Sequence, residues 1–445
     1  MTHHERFDFK NLADLEAKIA SLGLDIRLDT DLEPLGRRVK IGALETLNSL
    51  AIHPLEGRDS TPDGKPGELT LRRYQRFAEG GAGLIWFEAT AVVPEGRASP
   101  RQLLLNEENL SAFKELLHRV EQSAVAAYSP AHRPMAVLQL THSGRSSKPV
   151  PVIAVHNETL DARSGLPPDY PLISDGELEA LEDRFVEAAN LAHQVGSQAV
   201  DIKACHGYLA SELLGARTRP GKYGGSFESR TRFLINIVEK TRKQVGNDLT
   251  LAIRLNAYDG IPYPYGWGVS QEDVAQEDLA EPIRLVRLLY DRGVRMVSIS
   301  AGNPYYNPHV SRPFDRPVQG GAIPGEHPLQ GVARLFRITR QIQQAVPEMV
   351  IVGTGYSWLR QFLGYAAAAS IRNGWVTIVG VGREALAYPD FARDLLTKGE
   401  LDPKKTCITC SRCSQLMREG GAAGCVTFDS EVYRSIYKRL RAEKE

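Results

Sequence analysis

The sequence predicts an α/β protein built on a closed (β/α)8 (TIM) barrel, and three observations predict it. Eight short apolar or β-branched segments recur along the chain. Stretches of helical period separate them. The first segment runs into "HPLEGRD" and not into the glycine-rich turn that opens a dinucleotide-binding sheet. Strands that are apolar throughout and alternate with helices require a parallel sheet covered on its outer side, and closure into a barrel accounts for a count of eight.

Residues 1–32 read as a helical N-terminal extension, residues 33–400 as the barrel, and residues 401–445 as a separate cysteine-bearing appendix. The expected strands are "SLAIHP" (49–54), "GLIWFEAT" (83–90), "MAVLQLT" (135–141), "AVDIKA" (199–204), "TLAIRLN" (250–256), "MVSISA" (296–301), "VIVGT" (350–354) and "VTIVGV" (376–381). Between strands three and four, Ser174 and Asp175 offer N-caps. Leu178, Leu181, Phe185, Ala188 and Ala192 follow them at the spacing of one helical face. The region 142–173, rich in proline, is a long excursion after strand three, of the kind that covers or shapes a pocket. In the appendix, Val432, Tyr433, Ile436, Tyr437 and Leu440 place an apolar stripe on a final helix.

Composition narrows the function. The 445 residues are 42% hydrophobic, and 54 Lys plus Arg balance 54 Asp plus Glu. No excess of positive charge draws in a phosphate backbone, so no nucleic-acid partner is expected. No apolar run approaches the roughly 20 residues that cross a bilayer, and "MTHHERFDFK" has no signal-peptide pattern. No membrane association and a cytoplasmic location are therefore expected.

In a barrel of this type the active site lies at the C-terminal ends of the strands. That rule selects His53 to Glu56, Glu88, Gln139, His142, Lys203 to Tyr208, Arg254, Ser300 to Asn303, Gly353 to Gly355, and Gly380 to Arg383. The last two groups follow strands seven and eight, where close-approaching glycine backbone and the Arg383 fork suit a phosphate. The same glycines also serve as ordinary tight turns.

Four of the five cysteines lie between 407 and 425. Cys407, Cys410 and Cys413 follow a C-x2-C-x2-C spacing, and Cys425 completes a four-sulfur set. One tight run of three suits a 4Fe-4S cluster better than zinc, whose sites more often use two separated C-x2-C pairs. Cys205, alone in the barrel, reads as structural.

The segments "NSLAIHPLEGRD", "RYQRFAEGGAGLIWFEATAVVPEGR", "LQLTHSGR", "CHGYLASELL" with "YGGSFESRTRF", "LAIRLN" and "VGVGREALAYPD" together resemble the Old Yellow Enzyme family of FMN-dependent oxidoreductases. The resemblance runs in consistent order from about residue 33 to 395. The cysteine appendix just past the barrel is similar to the iron-sulfur branch of that family.

The resemblance implies the same barrel, one FMN, and NAD(P)H as electron donor. It assigns His53, Pro54, Leu55, Glu56, Glu88, Ala89, Gln139 and Arg254 to the flavin, with Gln139 at the pyrimidine edge and Arg254 near N1 and O2. Gly353, Thr354, Gly355, Gly382 and Arg383 take the phosphate. Lys203 and His206 hold an electronegative substrate atom over the flavin, and Tyr208 protonates the substrate. The implied activity is that of an ene-reductase acting on a small molecule with an activated double bond.

Two positions depart from the family pattern. Lysine stands at 203, where the family usually has histidine, and suits an anionic substrate. Glutamate stands at 56, where the family tends to have threonine or cysteine. An unpaired carboxylate in such a pocket is costly, so Glu56 is expected to turn outward toward Arg58, the alternative being an acid or base role. The branch usually continues into nucleotide-binding domains, whereas this sequence ends at 445. Electron exchange with a separate protein is one expectation, and direct NAD(P)H binding over the flavin is the other. Assembly of identical chains is also expected. Two alternatives stay open: an amine-type dehydrogenase sending electrons out through the cluster, with Tyr305 and Tyr306 contributing to an aromatic cage, and a non-catalytic barrel carrying a zinc-binding interaction module.

Overall fold

The computed structural model describes residues 4–442. The first three and last three residues of the expected terminal segments lie outside the described residues. Eight parallel strands form the barrel: β1 (Leu50–Ile52), β2 (Leu84–Ala91), β3 (Met135–Thr141), β4 (Ala199–Ala204), β5 (Thr250–Tyr258), β6 (Val294–Ala301), β7 (Val350–Gly353) and β8 (Ile378–Val381). They pair in sequence order, and the barrel closes where Val379, Gly380 and Val381 of β8 meet Leu50, Ala51 and Ile52 of β1.

The period of two along each strand sorts side chains between two apolar environments. Ala51, Leu84, Trp86, Val137, Ala199, Ala252, Met296, Val352 and Ile378 meet inside the barrel. Their neighbours Ile52, Ile85, Phe87, Leu138, Val200, Ile253, Val297 and Ile351 pack outward against the helices. A small hairpin that the sequence did not signal, Lys40–Ile41 paired with Leu44–Glu45, adds Val39 and Ile41 to the inner cluster and closes the end where the strands begin. The interior is thus filled at one end, and polar inward positions collect at the other.

The helix Asp175–Gln194 starts at Ser174 with a capping box to Glu177, and it buries Leu178, Leu181, Phe185, Ala188 and Ala192. The N-terminal segment carries the helix Leu12–Ser21, capped by Asn11. Phe7 meets Trp358 edge-on at 5.5 Å between ring centres. The excursion 142–173 contains a short helix, Glu158–Ser164. It is fixed by Arg145, which bonds both Asp161 and Glu212.

The cysteine segment is stitched to the barrel mouth. Ala423 N–H donates to Gly57 O at 2.6 Å, and Arg58 Nη1 donates to Met417 O at 2.8 Å. Asp429 receives Arg72 and Arg76. The final helix, Ser430–Ala442, buries Tyr433 against Leu416 and Val426, with Val432, Ile436, Tyr437 and Leu440 packed beside them. Among the described residues no helix is long and apolar enough to cross a membrane.

Candidate active site

The polar end of the barrel opens into a cleft with about 1440 Å³ of atom-free space, part of it open to solvent. It brings together most of the residues selected from sequence: His53 to Glu56, Gln139, Lys203, His206, Tyr208, Arg254, Thr354, Gly355, Gly382 and Arg383. These come from both halves of the chain because alternate residues on successive strands point to the same mouth.

The floor rests on Asp201, which sequence reading passed over. This carboxylate is fully buried. It accepts from Gln139 Nε2 at 2.5 Å, from the backbone N–H of Arg254 at 2.5 Å, and from Trp86 Nε1 at 2.9 Å. Burial pushes its pKa up from 3.8 to about 6, against the pull of these donors. With one N–H of the Gln139 amide committed to Asp201, its second N–H and its carbonyl oxygen are left for a ligand.

Arg254 Nη1 donates to His53 Nδ1 at 2.8 Å. That contact leaves His53 Nε2 to donate to Gly353 O at 3.2 Å. Burial, then the neighbouring guanidinium, hold the His53 pKa well below 6.5, so the ring is neutral. Arg254 Nε is buried without a protein partner. Gly380 must lack a side chain because a Cβ there falls 2.3 Å from His53 Cε1.

At the other end Gly355 adopts φ of 104°, in the range that favours glycine. Arg383 Nη2 donates to Pro313 O at 2.6 Å, while its Nη1 is buried and unpartnered. Arg312, from the loop after β6, also lines the cleft. Burial and the adjacent Arg383 lower its pKa to about 10. Two guanidiniums thus face one space, of which the sequence reading named only Arg383.

At the rim, β4 ends and His206 takes a left-handed φ of 64° followed by Gly207 at 70°. A Cβ on Gly207 would fall 2.4 Å from Asn303 Nδ2. His206 Nε2 lies 3.0 Å from Ser300 Oγ. Burial, then Arg254 and Lys203, keep the imidazole well below 6.5. Glu56 does not turn outward: its Oε1 accepts from Tyr208 Oη at 2.6 Å and from Lys203 Nζ at 3.0 Å. These two donors remove the cost of an unpaired carboxylate that favoured the outward pose.

Three expected cofactor residues do not line the cleft. Glu88 sits at a break in register between Trp86 and Ala89, which turns it away from the interior. There it joins a buried network in which Arg73 binds both Glu88 and Asp59, and it accepts Gly57 N–H at 2.7 Å. Ala89 follows the same break, and its carbonyl receives Gln102. Gly353 is out of phase with the inward Val352 and Thr354, and contributes only its carbonyl to His53. His142 is likewise outside, accepting from Gly144 N–H. The excursion 142–173 supplies no lining residue; Tyr305, Arg312, Met417 and Arg418 from the β6 loop and the cysteine segment do so instead. Tyr305 lines the cleft but Tyr306 does not; the Tyr306 ring lies under Arg163 at 4.6 Å.

Cys407, Cys410, Cys413 and Cys425 line one small cavity beside Arg383, and Cys413 also reaches the large cleft. Left-handed backbone at Thr409 and Ser411 wraps the run around that cavity. Cys425 Sγ accepts Phe428 N–H at 3.3 Å. Burial raises the Cys407 thiol well above 9 and the Cys425 thiol to about 11. Among the described residues no group of three or more His, Cys, Asp or Glu is arranged to hold a metal ion. Cys205 is buried.

A sequence profile described as the NADH:flavin oxidoreductase / NADH oxidase family matches residues 35–274, more than half of the chain. The chain is 24% identical to an NADH oxidase of Thermoanaerobacter brockii, over 84% of this chain and 52% of that protein. It is 25% identical to a bilirubin reductase of Mediterraneibacter gnavus, over 89% of this chain and 56% of that protein. The chain thus spans about half the length of these curated relatives. Among solved structures, a 2-naphthoyl-CoA reductase in complex with 2-naphthoyl-CoA superposes with a TM-score of 0.69 at 20% identity, over 89% of this chain and 57% of that one. At this identity the likeness concerns the fold.

Proposed function

The chain belongs to the NADH:flavin oxidoreductase / NADH oxidase family, the family of the Old Yellow Enzymes, and from that premise we propose that it is an FMN-dependent NAD(P)H oxidoreductase that reduces an activated carbon–carbon double bond. The observation that carries the reading is the cleft itself. It gathers a neutral histidine, the Gln139 amide, an unpartnered Arg254 Nε and an unpartnered Arg383 Nη1 in one continuous space.

Those groups fit FMN. Gln139 and Arg254 would hold the polar edge of the ring, where Arg254 offsets negative charge. Gly355, Gly382, Arg383 and Arg312 would hold the phosphate, which satisfies the orphaned Nη1 of Arg383 and separates two like charges. Bound FMN supplies the hydride from its N5. The protein's part is to place and protonate the substrate. His206, fixed by Ser300, is a neutral donor for the activating oxygen, and Tyr208 is the acid for the α-carbon. Glu56 neutralises Lys203, so the lysine alone gives no reason to expect an anionic substrate.

The four cysteines are proposed to hold a 4Fe-4S cluster. Four thiols line one small cavity, and three of them come from a single tight run, the spacing that suits such a cluster. Cys413, shared by both cavities, brings that site next to the cleft, and electrons would pass to or from a carrier there. The visible spectrum of the purified protein tests the reading. Flavin bands with a broad absorption that dithionite bleaches are expected, whereas a colourless protein with zinc on its cysteines would overturn it.

A further inference from the structure

One oxygen of Glu56 joins two acid groups. Tyr208 Oη lies 2.6 Å and Lys203 Nζ 3.0 Å from the same Oε1, and the ammonium stands 3.6 Å from the centre of the Tyr208 ring. The Lys203 side chain is 4% exposed and that of Glu56 11%, so water has little access between them. The hydroxyl hydrogen of Tyr208 therefore points at a carboxylate. Burial first, and then the charge of Glu56, raise the tyrosine pKa well above 10. Releasing that proton to a substrate and leaving a phenolate beside Glu56 would place two negative oxygens in hydrogen-bond contact in a dry site.

We propose that Lys203, Glu56 and Tyr208 form a proton relay, in which Glu56 passes a proton from Lys203 to Tyr208 as Tyr208 protonates the substrate. The inference rests on the alkene-reducing reading above. Hydride delivery to the β-carbon, the chemistry that FMN would supply, would leave an electron pair at the α-carbon. That pair takes the proton from Tyr208 Oη. Glu56 Oε1 takes a proton from Lys203 Nζ and gives one to Oη. The tyrosine ends as a phenol, Glu56 as a carboxylate and Lys203 as a neutral amine; Lys203 lines the cleft, so solvent that enters there after product release returns its proton. Across the reaction the trio moves from neutral to singly negative. Arg58 lies near Glu56, and its charge favours that change; Tyr305 also faces Tyr208. The relay also gives a physical reason for lysine at 203 and glutamate at 56, since each is of use only with the other.

Two variants of the holoenzyme separate a relay from a plain ion pair. Lys203→Arg keeps a cation beside Glu56 but cannot release a proton, and Glu56→Gln keeps the shape but not the carboxylate. Flavin reduction by NADPH and reoxidation by 2-cyclohexenone are timed separately. Ionisation of Tyr208 is followed by NMR of [13Cζ]-tyrosine, which needs no flavin signal. In both variants reoxidation should fall by about tenfold or more beyond any change in flavin reduction, and Glu56→Gln should lower the pH at which Tyr208 ionises. Wild-type reoxidation in Lys203→Arg, or an unmoved Tyr208 titration in Glu56→Gln, would overturn the relay. Absence of flavin reduction in the wild type would instead sink the alkene-reductase reading, leaving the tyrosine titration to decide whether Glu56 and Tyr208 are coupled.

Discussion

Asp201 accepts the side-chain amide of Gln139 at 2.5 Å beneath the cleft, and the same carboxylate holds the backbone N–H of Arg254. The two residues that would meet the flavin ring edge are thus set by one buried acid. Its pKa is raised from 3.8 to about 6. Between those values the folded state keeps a proton that the unfolded chain has lost, so stability falls as pH rises across the window and levels above it. Asp201→Asn abolishes this titration. Urea denaturation near pH 4.5 and near pH 7 should show wild type losing stability relative to the variant as pH rises.

Glu88 acts on the cleft from outside. It shares Arg73 with Asp59 and holds Gly57 N–H, one residue from Glu56. Glu88→Ala leaves part of a buried guanidinium unpaired and should cost about 3–5 kcal/mol in chemical denaturation. A replacement that leaves stability unchanged would show that the network is not under load.

Arg383 lines the cleft with a buried, unpartnered Nη1, the group proposed to meet the phosphate. Arg383→Ala should weaken FMN retention by about 1.5–3 kcal/mol, roughly tenfold to a hundredfold. Flavin fluorescence released at equilibrium measures it.

Gly380→Ala places a methyl 2.3 Å from His53 Cε1. The ring must then leave Gly353 O and Arg254, and overpacking of about 1–3 kcal/mol is expected. A thermal melt reads the cost, and a shifted flavin spectrum reads the displaced Arg254.

The barrel was legible because its strands are buried on both faces and therefore apolar throughout. Most of the site followed from position at strand ends. The failures have specific physical causes. Gly353 sits at a strand end yet lies out of phase with the inward face, and Glu88 is turned by a register break, just before Ala89, that no residue type announces. Asp201 was missed because a lone acid inside an apolar strand gives no sign of three donors converging from β2, β3 and β5. Arg312 was missed because it lies in a loop, eleven residues beyond the end of β6 at Ala301. The pose of Glu56 turned on Lys203, 147 positions away, a pairing that only the closed barrel creates.

Anaerobic stopped-flow mixing of the purified protein with NADPH or NADH, and then with an activated alkene, tests the central proposal most directly. Flavin absorbance should bleach with one of the nucleotides and return with the alkene, and Tyr208→Phe should slow the return by about a hundredfold while leaving the bleaching in place. A flavin that neither nucleotide bleaches, or one that the alkene reoxidises equally fast without the Tyr208 hydroxyl, would contradict it.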